Sequence, residues 1–218
     1  QDLPAVLDGH GDMSAVERLL PDEDAADLIG LTRDIADRLL TPIVDAHERA
    51  ETYPGGVFAQ LGKAGLLSLP YSEEWGGGGQ PYEVYLRVLE ELAARWAAVA
   101  VAVSVRVLSC HALLAFGDDE QNARWLPGML SGSQIGAYSL SEPQAGSDAA
   151  ALRCSAKPTP DGYLVNGSKS WITHGGIADR SIPACDPVVS RSTRWRSSTA
   201  TLPGRDAEDS HSARSTAR

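Results

Sequence analysis

The sequence predicts an α+β chain, with an N-terminal all-α helical bundle followed by an incomplete antiparallel β domain. Three observations carry that expectation. Apolar residues recur at helical spacing between Asp22 and Ser131, and the period shortens to that of strands after Gln134. Two turn signals, Asp161-Gly162 and Asn166-Gly167, then bracket Tyr163-Leu-Val165. The 218 residues accordingly divide into a helical domain over 1–133, a partial β domain over 134–179 and a low-complexity tail over 180–218.

The first helical signal is Ser14-Ala-Val-Glu17, a capping-box pattern. From Asp22 the apolar positions Ala26, Ile29, Leu31, Ile35, Leu39 and Val44 follow the helical repeat, with Gly30 and Pro42 as local weak points. A shorter helix is expected over Val57 to Leu66. Gly76 to Gly79 form a turn rather than a phosphate loop, because Pro81 replaces the last glycine of a GxGxxG and no GKS or GKT follows. Pro81 suits a helix first residue, and Tyr82 to Arg95 is amphipathic. Trp96 to Phe116 is apolar nearly all round, broken by Arg106 and His111, as expected of a helix inside a bundle. His111 is expected to be a hydrogen-bonded core residue. Gly117-Asp-Asp-Glu120 stops that helix and opens the next, which ends near Gly132. Gln134 to Leu140 and Tyr163 to Val165 read as strands, with Ser168 to Thr173 returning alongside.

Composition narrows the function classes. Lys and Arg number 19 against 29 Asp and Glu, a net charge of −10, which argues against a nucleic-acid surface. The stretch Trp96 to Val105 is too short to span a bilayer, which needs ~20 apolar residues, and no export leader is expected. Cys110, Cys154 and Cys185 are odd in number and show no CxxC, so neither a disulfide frame nor a metal site is expected, and the compartment is read as cytoplasmic. No GxSxG or HExxH occurs. From Arg180 onward seven of the sixteen arginines and eight serines accumulate and no strand or helix period survives, the signature of a disordered tail or of out-of-frame coding in GC-rich DNA.

The informative residues begin at Tyr138. Tyr138-Ser-Leu-Ser-Glu-Pro-Gln-Ala-Gly-Ser-Asp148 and Asn166-Gly-Ser-Lys-Ser-Trp-Ile-Thr-His-Gly-Gly176 resemble, in order and separation, the paired signatures of the acyl-CoA dehydrogenase family. Ala64-Gly-Leu-Leu-Ser-Leu-Pro70, Ala115-Phe-Gly-Asp-Asp-Glu-Gln121 and Trp125-Leu-Pro127 resemble that family's helical part, so the likeness covers about residues 22 to 179. Gln144 and His174 stand where the family commonly has Gly and Asn, positions read as tolerant.

The residue types suit a flavin. A flat ring with a polar edge asks for strand backbone, small hydroxyls and an aromatic face. Leu140 and Ile172 offer backbone groups, Ser141 and Thr173 hydroxyls, and Trp171 a ring. By resemblance, Tyr138, Ser139, Leu140, Ser141, Gly146, Ser147, Trp171, Ile172 and Thr173 contact FAD, and Ser147 also meets the substrate. Glu142 belongs to the signature and is assigned a structural role. The resemblance further implies oxidation of an acyl-CoA thioester to the 2-enoyl-CoA, reoxidation by an electron-transfer flavoprotein, a homo-oligomer, and a Glu base in a C-terminal helical domain that this sequence is expected to lack. The chain alone is therefore expected to be inactive. An acyl-CoA oxidase or nitroalkane oxidase on the same scaffold, and a non-catalytic module that binds a partner subunit through uncovered apolar surface near Trp96 to Phe116, are the alternatives.

Overall fold

The computed structural model describes residues 22–160, 162–185 and the backbone of 195–197; the Ser14–Glu17 capping box and most of the tail lie outside these residues. Helix α1 (Glu23–Leu39) starts where Asp22 accepts a hydrogen bond from the Ala25 N–H at 2.8 Å, and it runs through Gly30 without a break. It ends short of Pro42, and α2 (Val44–Ala50) and α3 (Val57–Lys63) follow as separate short helices. Pro81 sits just ahead of α4 (Tyr82–Ala93) as its cap rather than inside its first turn. Helix α5 (Ala97–Phe116) is the longest, and α6 (Asp119–Ser131) opens with a reciprocal capping box between Asp118 and Gln121 and closes at Gly132, φ +77.

Helix α4 lies between α1 and α5, and α5 in turn packs on α6 and on the first strand. Leu40, Leu61, Leu66, Val84, Tyr85, Val88, Leu92 and Val103 have no accessible surface, and all but Val84 belong to one cluster. A second cluster joins Tyr71, Cys110, Leu113, Leu126, Met129 and Leu130. Between α1 and α4 the Glu91 carboxylate accepts from both Arg33 and Arg95, and Arg95 also reaches Asp37 at 2.7 Å.

Two expectations about α5 are corrected. At 20 residues it is by length and composition able to cross a membrane, so chain length is no argument against a span; what is observed is packing, with 44% of its most apolar window buried. His111 is exposed rather than part of the core, as are Val101, Leu108 and Phe116 on the uncovered face. The sequence was apolar on both faces, and only the neighbours decide which one is covered.

The β part departs further from expectation. Strand β1 (Gly136–Ser139) pairs in parallel with β4 (Arg180–Pro183), from Gly136 opposite Arg180 to Ser139 opposite Pro183. The antiparallel element is the hairpin of β2 (Ser155–Thr159) and β3 (Gly162–Asn166), and β5 (Trp195–Ser197) joins β3 in parallel. Parallel pairing needs a long crossover, and the 40 residues between β1 and β4 supply it. The tail expected to be strand-free from Arg180 therefore carries two strands among its described residues, β4 and β5. Ile182 packs on the second core cluster, and the Arg180 guanidinium lies 5.5 Å from the Trp125 ring centroid.

Ser168 to Thr173 is not the expected returning strand. Trp171 (φ +59) and His174 (φ +65) occupy the left-handed region, which breaks the pleat, and residues 173–177 form turns. The β-favouring Trp171, Ile172 and Thr173 suggested a strand, but no ladder partner completes one there. Two cysteines distant in the sequence are brought together: the Cys154 and Cys185 sulfurs, both free thiols, lie 3.0 Å apart.

Candidate functional site

A buried carboxylate organises the two signature segments. Glu142 is 5% exposed, and Ala145 and Glu142 exchange backbone hydrogen bonds, so the segment after β1 doubles back with the side chain pointing inward. Its oxygens accept from the Arg153 N–H at 2.7 Å, the Cys154 N–H at 2.9 Å, the Gln144 amide at 2.6 Å and the Lys169 ammonium at 2.8 Å. Lys169 also donates to the carbonyls of Leu140 at 2.9 Å and of Ala184. One lysine thus ties the end of β1, the signature turn and the segment after β4 to the 168–173 loop. The Ser170 N–H adds a bond to the Ser141 carbonyl at 2.9 Å, and Ile135 and Asp179 bind each other through backbone and side chain.

The electrostatics bear this out. Burial alone would raise the Glu142 pKa, but the Lys169 bond, the two backbone N–H groups and the Gln144 amide outweigh it and hold the carboxyl down at about 2. A carboxylate with that pKa and four donors is a poor base. Because its folded-state pKa is depressed, its stabilisation is complete above the ordinary carboxyl range and lost as pH falls toward 2. Thermal melts between pH 2 and 7 are therefore expected to show the gap between wild type and Glu142→Gln narrowing below about pH 4.3. A gap independent of pH would contradict the ionised, paired state.

The sequence-predicted residues fall into three groups. Tyr138 and Ser139 lie on β1 opposite Ile182 and Pro183, and Leu140 and Ser141, just past its end, accept hydrogen bonds from the 168–173 loop through their carbonyls. The Ser139 hydroxyl is buried and shared with Ser181 at 2.8 Å. Gly146 and Ser147 lie on the exposed side of the signature turn. Trp171 is 95% exposed, Ile172 half-buried with its carbonyl bonded to the Gly175 N–H, and Thr173 half-buried on the wall of a cavity.

That cavity has a volume of about 420 Å³ and runs from Thr173 and His174 to the helices, where Glu48, Glu51, Tyr53, Phe58, Val99 and Ala102 line it. His174 is the functional candidate that sequence reasoning passed over as tolerant. It is 9% exposed, meets the Phe58 and Tyr53 rings edge-on at 4.9 and 6.0 Å, and has neither ring nitrogen in hydrogen-bonding geometry with a partner, the Gly136 backbone included. Burial lowers its pKa, so the neutral ring is favoured. Its departure from the family's Asn was the available signal.

Comparison with known proteins places this arrangement. The family description "Acyl-CoA dehydrogenase, N-terminal domain" matches residues 22–133, and "Acyl-CoA dehydrogenase, middle domain" matches residues 137–214, across the 179/180 boundary. An acyl-CoA dehydrogenase of Bacillus subtilis is 37% identical over 150 residues, covering 68% of this chain and 40% of the relative. The human mitochondrial short-chain specific acyl-CoA dehydrogenase is 35% identical over 156 residues, covering 71% of this chain and 38% of its own length. A glutaryl-CoA dehydrogenase from Mycobacterium smegmatis, solved in complex with FADH2, superposes with a TM-score of 0.73 at 31% identity, covering 78% of this chain and 44% of that one. The chain spans about 40% of the length of the curated relatives it matches. With its helical bundle, its signature turn and the loop clamped to that turn all matched, this chain belongs to the acyl-CoA dehydrogenase family.

Proposed function

We propose that this chain forms the helical and flavin-facing part of an FAD-dependent acyl-CoA dehydrogenase that converts an acyl-CoA thioester to its 2-enoyl-CoA. The observation that carries the reading is the clamp that holds residues 140–142 to residues 169–170 and leaves Trp171 bare and Thr173 on the cavity wall. A fully exposed tryptophan in left-handed backbone is out of place on a free surface. It fits a flat apolar ring face, and the neighbouring Ser141 and Thr173 hydroxyls fit a polar ring edge.

When bound, FAD supplies the two-electron acceptor of the dehydrogenation. The residues of this chain hold and orient it: Trp171 by packing, Ser141 and Thr173 by hydrogen bonds, and the Gly146-Ser147 turn toward the phosphate or pantetheine side. The cavity beside Thr173 accepts the acyl chain against Phe58, Val99 and Ala102. Glu142, committed to Lys169, is not the base; that role falls to a carboxylate outside this sequence, with an electron-transfer flavoprotein as the eventual acceptor. The open apolar face of α5 at Val101, Leu108 and Phe116 favours assembly with further protein over action as a lone subunit.

Titrating FAD with the purified chain while following flavin fluorescence tests the proposal. Quenching with saturation is expected, weakened about 3- to 10-fold by Trp171→Ala or Thr173→Ala. Unchanged flavin fluorescence across the titration, or variants indistinguishable from wild type, would overturn it.

A further inference from the structure

Outside the flavin-facing residues, two free thiols lie side by side. The Cys154 and Cys185 sulfurs are 3.0 Å apart, although 31 residues separate them along the chain. Cys154 is 2% exposed and Cys185 half-buried. The third cysteine, Cys110, belongs to the second core cluster with Tyr71 and Leu113.

The backbone on each side fixes this approach. The Cys154 N–H donates to the Glu142 carboxylate at 2.9 Å. Just ahead of Cys185, the Ala184 carbonyl accepts from Lys169 and the Ala184 N–H donates to the Ser139 carbonyl at 3.0 Å. The two sulfurs are thus held from the two partners of one buried ion pair. Gly167, φ +153, leaves the room that the Cys154 side chain occupies, since an added Cβ there would stand 2.9 Å from its sulfur. A disulfide bond is about 2.05 Å long, so closing the present gap takes a movement of about 1 Å. Burial and the Cys154 sulfur alongside push the Cys185 thiol above its ordinary range; Lys169 opposes the rise and Glu142 adds to it. Thiolate is the attacking form, so exchange at neutral pH is slow, which suits a bond set by equilibrium better than a fast sensor.

We propose that Cys154 and Cys185 are a modification site, forming a reversible intrachain disulfide by exchange with a low-molecular-weight disulfide. The Cys185 thiolate, its proton released to water, attacks one sulfur of that oxidant and expels the other half as a thiolate. The Cys154 thiolate, deprotonated in the same way, then attacks the Cys185 sulfur and expels the second half. The protein loses two electrons and two protons, and the oxidant becomes two thiols. The bond adds a covalent member to the Glu142–Lys169 clamp, joining the residue ahead of β2 to the chain just past β4. It forms where such oxidants prevail and opens under thiol reductants.

The test equilibrates the full chain in graded ratios of reduced to oxidised glutathione, once in mildly alkaline buffer and once in denaturing urea. Free thiols are then alkylated and the peptides mapped by mass spectrometry. A Cys154–Cys185 cross-link with Cys110 alkylated is expected. At a given glutathione ratio, the oxidised-to-reduced ratio should be about 100- to 1,000-fold higher in buffer than in urea, the factor for closing a loop of about 30 residues. Linkage puts the same factor into folding, so oxidation should raise the melting temperature by roughly 5–15 °C. Cys185→Ser should abolish both the cross-link and the shift, and the wild-type peptide map decides alone if that variant fails to fold. A cross-link to Cys110, disulfides only between chains, or Cys185 left as a mixed disulfide with glutathione would each overturn the proposal. So would the absence of any cross-link, or comparable oxidation in buffer and urea.

Discussion

Replacing Lys169 by methionine is expected to lower stability by about 3–5 kcal/mol, the cost of leaving one partner of a buried ion pair alone. The Glu142 side chain is 2% exposed and that of Lys169 11%, so water cannot replace the ammonium. Methionine preserves the length and apolar stem of the side chain, which confines the loss to the charge and its three acceptors, Glu142, Leu140 and Ala184. At ~2–4 °C per kcal/mol for a chain of this size, the melting temperature should fall by roughly 6–20 °C. Combining Lys169→Met with Glu142→Gln should recover part of the loss, because no unpaired charge then remains. A single-variant loss below about 1 kcal/mol in urea denaturation would mean that the pair behaves as a surface bridge, and the clamp argument would fail. Since the same lysine holds residue 140 to the 169 loop, loss of FAD quenching is expected to accompany the loss of stability.

The second large effect runs against local propensity. Gly62 lies within α3, where alanine is worth about 1 kcal/mol more than glycine. A Cβ at that position, however, would overlap the Ser131 backbone carbonyl and crowd the Gly132 nitrogen, because α3 crosses the end of α6 with no room between the main chains. Backbone cannot swing aside as a side chain can, so Gly62→Ala is expected to destabilise by about 3 kcal/mol. Gly30→Ala is the matched control. It sits in α1 with nothing within 4 Å of an added Cβ and should stabilise by about 0.5–1 kcal/mol. Thermal melts of the two variants should therefore move in opposite directions. If both rise, the close α3–α6 approach is not present in solution.

Much of this protein was legible as sequence. The start at Asp22, the Gly117-Asp-Asp-Glu120 stop and restart, and Gly132 marked helix ends within three or four residues, so local pattern sufficed to find them. The two signature segments likewise identified the residues that meet at the candidate site, and Ser141 and the 170–173 segment do adjoin. What escaped was everything that depends on partners distant in the chain. Strand β4 carries no alternation and exists because β1 lies open beside it, and Ser168 to Thr173 ends in β-favouring residues yet bends away where Trp171 and His174 turn left-handed.

The linear order of residues by itself determined most helix ends, the family and the two segments that meet at the candidate site, since caps, turns and motifs are short-range. The tertiary structure alone decided which face of α5 is covered, that Glu142 is neutralised by Lys169 rather than free to act as a base, and that Arg106 is buried with no ion pair among the described residues. Burial and charge pairing depend on what the rest of the chain brings within a few ångströms, and no local pattern encodes that distance.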